Sequence, residues 1–100
     1  MREKKVTAII RTDVLDEIET RLHRLGVRGI SVTRVEGYGE YTKFWTPNSI
    51  ASHMQIDIFS NEDEVQPIVD AILGTARSGE AGDGIVSVLP VDQFYRVRQG

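Results

Sequence analysis

The order in which hydrophobic periodicities follow one another narrows the possible folds more than any single motif. Val6 to Arg11 is a short run rich in β-branched residues and reads as a strand. Leu15, Ile18, Leu22 and Leu25 then form one apolar stripe at helical spacing. Thr12 and Asp13 offer N-caps for that helix, and Gly26 supplies the left-handed residue that closes it. From Gly29 to Gly37, Ile30, Val32 and Arg34 alternate with Ser31, Thr33 and Val35, a strand with at least one well-buried face. Tyr38 to Ser52 has no clean period, contains Gly39, Pro47 and Asn48, and reads as a long loop. Met54, Ile56 and Ile58 open a third strand. Ser60 with Asp63 resembles a capping box for a second helix carrying Val65, Ile68, Val69, Ile72 and Leu73. Pro67 belongs near the start of that helix, because it cannot donate to the helical ladder. Ser78 to Gly84 is a glycine-rich loop, Ile85 to Leu89 a fourth strand, and Tyr95 to Gln99 a short fifth.

The sum is an α+β, ferredoxin-like βαββαβ plan in a single domain over residues 1–100, an antiparallel sheet with two helices on one face. Val and Ile together number 21 against 5 Leu, which suits pleated sheets and disfavours a helical bundle. The second face of such a sheet is bare, so apolar residues on it favour a homo-oligomer.

Composition weighs against several functions. The formal net charge is −3, whereas phosphate neutralisation gives nucleic-acid binders a basic excess. There is no Cys, hence no disulfide, thiolate catalysis or Cys-ligated metal. His23 and His53 lack partners at metal-ligand spacing, so no metal site is expected. No apolar run reaches the roughly 20 residues of a membrane span, and the charged start MREKK is no signal-peptide core; the expectation is a cytoplasmic protein without membrane insertion.

Three features carry chemistry. The loop Ser78-Gly79-Glu80-Ala81-Gly82-Asp83-Gly84 lets backbone amides approach an anion, although its spacing matches neither the Walker pattern nor the dinucleotide fingerprint. On spacing alone it reads as a plain helix-to-strand connection, with Asp83 bracing the turn more readily than acting as a base. Arg96 and Arg98, two apart on the predicted strand, present two guanidinium forks on one face, equally suited to a phosphate or to a solvated edge. The long loop holds four of seven aromatics, among them Tyr41, Phe44 and Trp45, a pattern of partner contact. No nucleophile elbow, triad order or carboxylate pair supports catalysis, so an enzyme is not expected.

Taken in order, Gly29-Ile30-Ser31-Val32-Thr33, Glu36-Gly37-Tyr38-Gly39, Thr75-Ala76-Arg77-Ser78-Gly79, Gly82-Asp83-Gly84 and Arg96-Val97-Arg98 resemble the PII signal-transduction family over nearly the whole chain. The resemblance implies a homotrimer that binds adenine nucleotides in clefts between subunits. Its long loop, the T-loop of that family, here shortened at about 38–52, docks on a membrane transporter or enzyme. By position, Gly29, Ile30 and Ser31 line the adenine pocket and Gly37 and Gly39 flank the loop base. Gly82, Asp83 and Gly84 wrap ribose and phosphates, and Arg96 and Arg98 pair with phosphates.

The departures from the family pattern are informative. Ile85, Glu40 with Tyr41, and His53 stand where typical members carry a basic residue, an Arg-Gln pair and a Lys. Three cationic groups near the phosphate end are therefore missing. Charge-assisted contacts are worth roughly 1.5–3 kcal/mol each, so ATP should lose more than ADP or AMP. The pattern resembles divergent PII-like proteins, some of them associated with inorganic carbon, and the resemblance implies a small anion such as bicarbonate as a second ligand in the space near His53 and Arg98. A scaffold that has lost nucleotide binding, or a metal-tolerance-associated regulator, are the other readings.

Overall fold

A computed structural model of the chain describes residues 2–37, 51–80 and 82–99. The strands are β1 (Glu3–Arg11), β2 (Ser31–Gly37), β3 (Ala51–Asn61) and β4 (Gly84–Pro90), and the helices α1 (Leu15–Arg24) and α2 (Val65–Ala76). The sheet order is β2-β3-β1-β4, antiparallel at every pairing. This is the split βαβ arrangement expected from the sequence.

Alternation in β1 decides what the sheet buries. Val6, Ala8 and Ile10 face the helices beside Ile56 and Ile58 of β3, and all five are buried. Ile18 and Leu22 of α1 and Ile68, Ile72 and Ala76 of α2 close over them. Each fully buried Ile or Leu here contributes about 1.5–3 kcal/mol. The intervening residues of β1 point to the opposite face, where Ile85, Leu89 and Phe59 lie at least one-third exposed. Lys5 reaches Asp57 at 3.7 Å on the same face, a partly buried pair worth about 1 kcal/mol or less.

Several local expectations are corrected. Thr12 and Asp13 do not cap α1. They lie in a 3-10 turn, Thr12–Val14, between β1 and the helix, whose N-cap position is Val14. Ser60 and Asp63 form no capping box, because β3 runs on to Asn61 and a second 3-10 turn, Glu62–Glu64, intervenes. Pro67 is the third residue of α2, inside the first turn, where a missing N–H leaves no bond unmade. The predicted loop is shorter at its far end, since Ala51 and Ser52 already pair with Gly37 and Glu36. β2 has no well-buried face. It is an edge strand whose Val32 is 40% exposed, because the helices cover the sheet's centre. Leu25 likewise sits outside the stripe it extends, at the helix end and exposed. Tyr95 to Gln99 is not a strand. It finds no partner in the sheet and ends in a 3-10 turn, Val97–Gln99, closed by the Gln99 N–H to the Arg96 carbonyl.

Candidate functional site

The glycine loop is organised by one carboxylate. Asp83 Oδ2 accepts from the Ser78 N–H at 2.7 Å and the Gly79 N–H at 2.9 Å. Asp83 Oδ1 accepts from the Ser78 hydroxyl and from Arg11 Nη1, the latter at 2.6 Å. These donors, the Ser78 hydroxyl and N–H foremost, hold the Asp83 carboxyl below its ordinary value, with the Arg11 charge adding to the same direction and partial burial opposing it. Both oxygens are engaged, so Asp83 is the brace of a turn rather than a proton acceptor for chemistry. The Glu80 N–H is also turned inward, onto the Ser78 hydroxyl at 3.2 Å. Three successive amides are thus used inside the loop.

Gly84 is required where the loop enters β4. Its φ is +113°, and a Cβ there would sit 1.8 Å from the Ile9 carbonyl oxygen. This close approach draws the loop against the end of β1, beside Arg11.

Arg11 and His53 form the last cross-strand pair of β1 and β3. Arg11 holds Asp83 through Nη1 and Asp13 through Nε at 3.1 Å. His53 is 3% exposed, and its Nε2 lies 3.0 Å from the Gly82 carbonyl oxygen. A carbonyl only accepts, so Nε2 carries the proton. The buried Nδ1 has no hydrogen-bond partner among the described residues. Gly37, through its pairing with Ala51, lies just beyond this same end of the sheet.

The remaining sequence-derived residues lie elsewhere. Gly29 and Arg96 line a cleft of about 370 Å³ with Glu3, Phe59, Asn61 and Glu64 at the opposite end of β1. From Glu3 to Arg11 the strand rises about 26 Å. Arg96 stacks over the Phe94 ring at 5.0 Å, and Phe94 meets Phe59 with centroids 5.3 Å apart. Arg98 is exposed in the terminal 3-10 turn two residues on, so within one chain it stays at the Arg96 end and does not meet His53. It shares no strand face with Arg96, because no strand forms there. Ile30 lines a groove along α1 with His23 and Val27, and Ser31 pairs with Asp57 at mid-sheet. Gly39, Tyr41, Phe44 and Trp45 lie outside the described residues. His23 is on the exposed surface of α1. Among the described residues no group of three His, Asp or Glu side chains is placed to hold a metal, and no helix is long and apolar enough to cross a membrane.

Sequence reasoning located the loop and missed the residue that clamps it. Arg11 reads as the polar end of a strand. Its register opposite His53 is what gives it a role, and register is a property of the folded sheet.

Comparison with known proteins places this arrangement. The family model described as nitrogen regulatory protein P-II matches residues 3–100. A nitrogen regulatory protein P-II of Synechocystis is 36% identical over 109 aligned residues, spanning 97% of this chain and 93% of that protein. Its counterpart in Azospirillum brasilense is 32% identical over the same shares. The crystal structure of Arabidopsis thaliana PII bound to citrate superposes with a TM-score of 0.84 at 31% identity, covering 99% of this chain and 83% of that one.

Proposed function

The chain belongs to the P-II family of nitrogen regulatory proteins, and from that membership we propose a non-enzymatic, cytoplasmic signalling subunit that senses ADP or AMP in preference to ATP. The nucleotide lies between neighbouring copies of a homotrimer. The loop over 38–52 passes the state of the site to a partner, a membrane transporter or an enzyme, and bicarbonate acts as second ligand.

One observation carries this reading. The residues suited to phosphates, the glycine loop and the arginines, lie at opposite ends of β1, about 26 Å apart. The Gly82-Asp83-Gly84 turn is at one end, and Gly29 with Arg96 is at the other. No nucleotide spans both within one chain. A second copy that brings its Arg96 end to the first copy's glycine loop completes the set. The exposed Ile85, Leu89 and Phe59 give the outer sheet face a reason to be covered by such a copy.

Preference for fewer phosphates follows from the charges at the loop. Ile85 follows the glycine turn, and the His53 proton on Nε2 is already given to Gly82. Neither aims a free N–H at a terminal phosphate. A His53–Arg98 bicarbonate site is intersubunit for the same reason as the nucleotide site.

Isothermal titration with ADP, AMP and ATP, each with and without bicarbonate, tests the reading. Binding near one site per subunit, tighter for ADP or AMP than for ATP, is the expected result. A gain in affinity with bicarbonate identifies the second ligand. Absence of heat with every nucleotide overturns the sensor and leaves a scaffold, a reading favoured by Arg96 lying over Phe94.

A further inference from the structure

We infer that the cross-strand pair Arg11 and His53 positions the glycine loop for an anionic ligand, each residue gripping one of two successive loop residues. This rests on the proposed nucleotide site and assigns its alignment to side chains that do not themselves touch the nucleotide.

The argument is geometric. His53 Nε2 donates to the Gly82 carbonyl. Arg11 Nη1 donates to the Asp83 carboxylate. The two donors stand side by side at the last β1–β3 rung, and their two acceptors are consecutive in sequence. The peptide unit joining Gly82 to Asp83 is trans, and in a trans peptide the C=O and N–H point in opposite directions. Pinning the Gly82 carbonyl to His53 therefore aims the Asp83 N–H away from that ring. The Asp83 side chain is meanwhile fixed from the other side by Arg11, Ser78 and Gly79. Neither rotation about the Gly82–Asp83 unit nor swinging of the carboxylate is open without breaking one grip.

The amides of Ser78, Gly79 and Glu80 face inward, so an anion at this loop is met by the Asp83 N–H further on. The Asp83 N–H is the one whose direction His53 sets. Oriented amides of this kind are the usual anion concavity of a glycine-rich turn. His53 is buried and Arg11 is about two-thirds covered, so the grip comes from within the sheet.

The test separates alignment from mere stability. Arg11→Met keeps the stem and removes the guanidinium. Amide hydrogen exchange in the ligand-free variant is expected to quicken about tenfold at Ser78 and Gly79, while core amides in β1 and β3 keep their protection. ADP affinity is expected to fall about tenfold, and Arg11→Lys to restore part of it, since a lysine reaches one carboxylate at a time. In buffer free of bicarbonate, His53→Gln retains a donor for the Gly82 carbonyl and should keep more of the ADP affinity than His53→Phe, which has none. Unchanged exchange at Ser78 and Gly79 in Arg11→Met overturns the inference, as does equal ADP affinity in His53→Gln and His53→Phe. If the native protein binds no nucleotide, the sensor reading fails, and the exchange rates still decide the grip.

Discussion

Asp83 is a single residue whose charge state a whole loop depends on, and its effect on stability has a definite sign. Its carboxyl is held below the ordinary value of 3.8 by hydrogen bonds from Ser78 and Gly79 and by Arg11. A folded-state value below the unfolded one stabilises the fold at every pH above the ordinary carboxylate range, and the stabilisation fades as pH falls through that range and below it. Asp83→Asn removes this contribution. The variant should melt earlier at pH 7, and the gap to the native protein should shrink as pH is lowered below about 4. Thermal melts at a series of pH values check it, and a constant gap would refute it. Glycines offer a second comparison at this scale. Gly84→Ala puts a methyl into the Ile9 carbonyl at a positive φ and should cost at least about 3 kcal/mol. At Gly29 nothing lies within 4 Å and φ is not positive, so Gly29→Ala should change stability by less than about 0.5 kcal/mol. Denaturant midpoints of the two variants decide the point.

Elements were legible where the chain carries its own pattern and illegible where structure depends on a neighbour. The stripes of both helices and the alternation of β1 and β3 can be read directly, since buried positions recur with the period of each element. Alternation over Tyr95 to Arg98 is as regular, yet a strand also needs a partner, and among the described residues this segment pairs with neither edge strand, β2 or β4. The same dependence exposes β2. Its apolar residues fit a strand, but its edge position decides their burial. Capping chemistry at Ser60 misled for a different reason, because β3 simply extends past it. In the candidate site, the glycines and Asp83 were visible as composition, whereas Arg11 became visible only through register. Pro67 tests the element scale by itself. It occupies the first turn of α2, so Pro67→Ala should shift stability by less than about 1 kcal/mol. Ala71→Pro, in the middle of the same helix, should cost about 3 kcal/mol or more through a lost ladder bond and a clash. Urea titrations of the pair distinguish these outcomes, and equal costs would show that position within the helix does not govern the effect.

For the whole molecule, the decisive fact is that the glycine loop and the cleft lined by Gly29 and Arg96 lie at opposite ends of β1. If ligand sites form between copies, each site takes its loop from one subunit and its arginines from the next. That arrangement makes a prediction no intrachain site shares. Asp83→Asn damages only the loop end, and a chain carrying Arg96→Ala with Arg98→Ala damages only the arginine end. Each variant alone should bind ADP at least about tenfold more weakly, from the loss of charge-assisted contacts. Unfolded together and refolded as a mixture, they should regain sites of native affinity wherever an intact loop faces intact arginines. Random assembly in a ring of three restores about a quarter of all sites, because each mixed ring contains one such interface. Titration calorimetry of the mixture should then show that fraction of tight sites, absent when the two variants are combined without refolding. No recovery after refolding, with each variant folded and assembled as the native protein is, would place the site within a single chain or remove it altogether. Recovery would establish at once the oligomer, the location of the ligand and the division of labour between the two ends of the sheet.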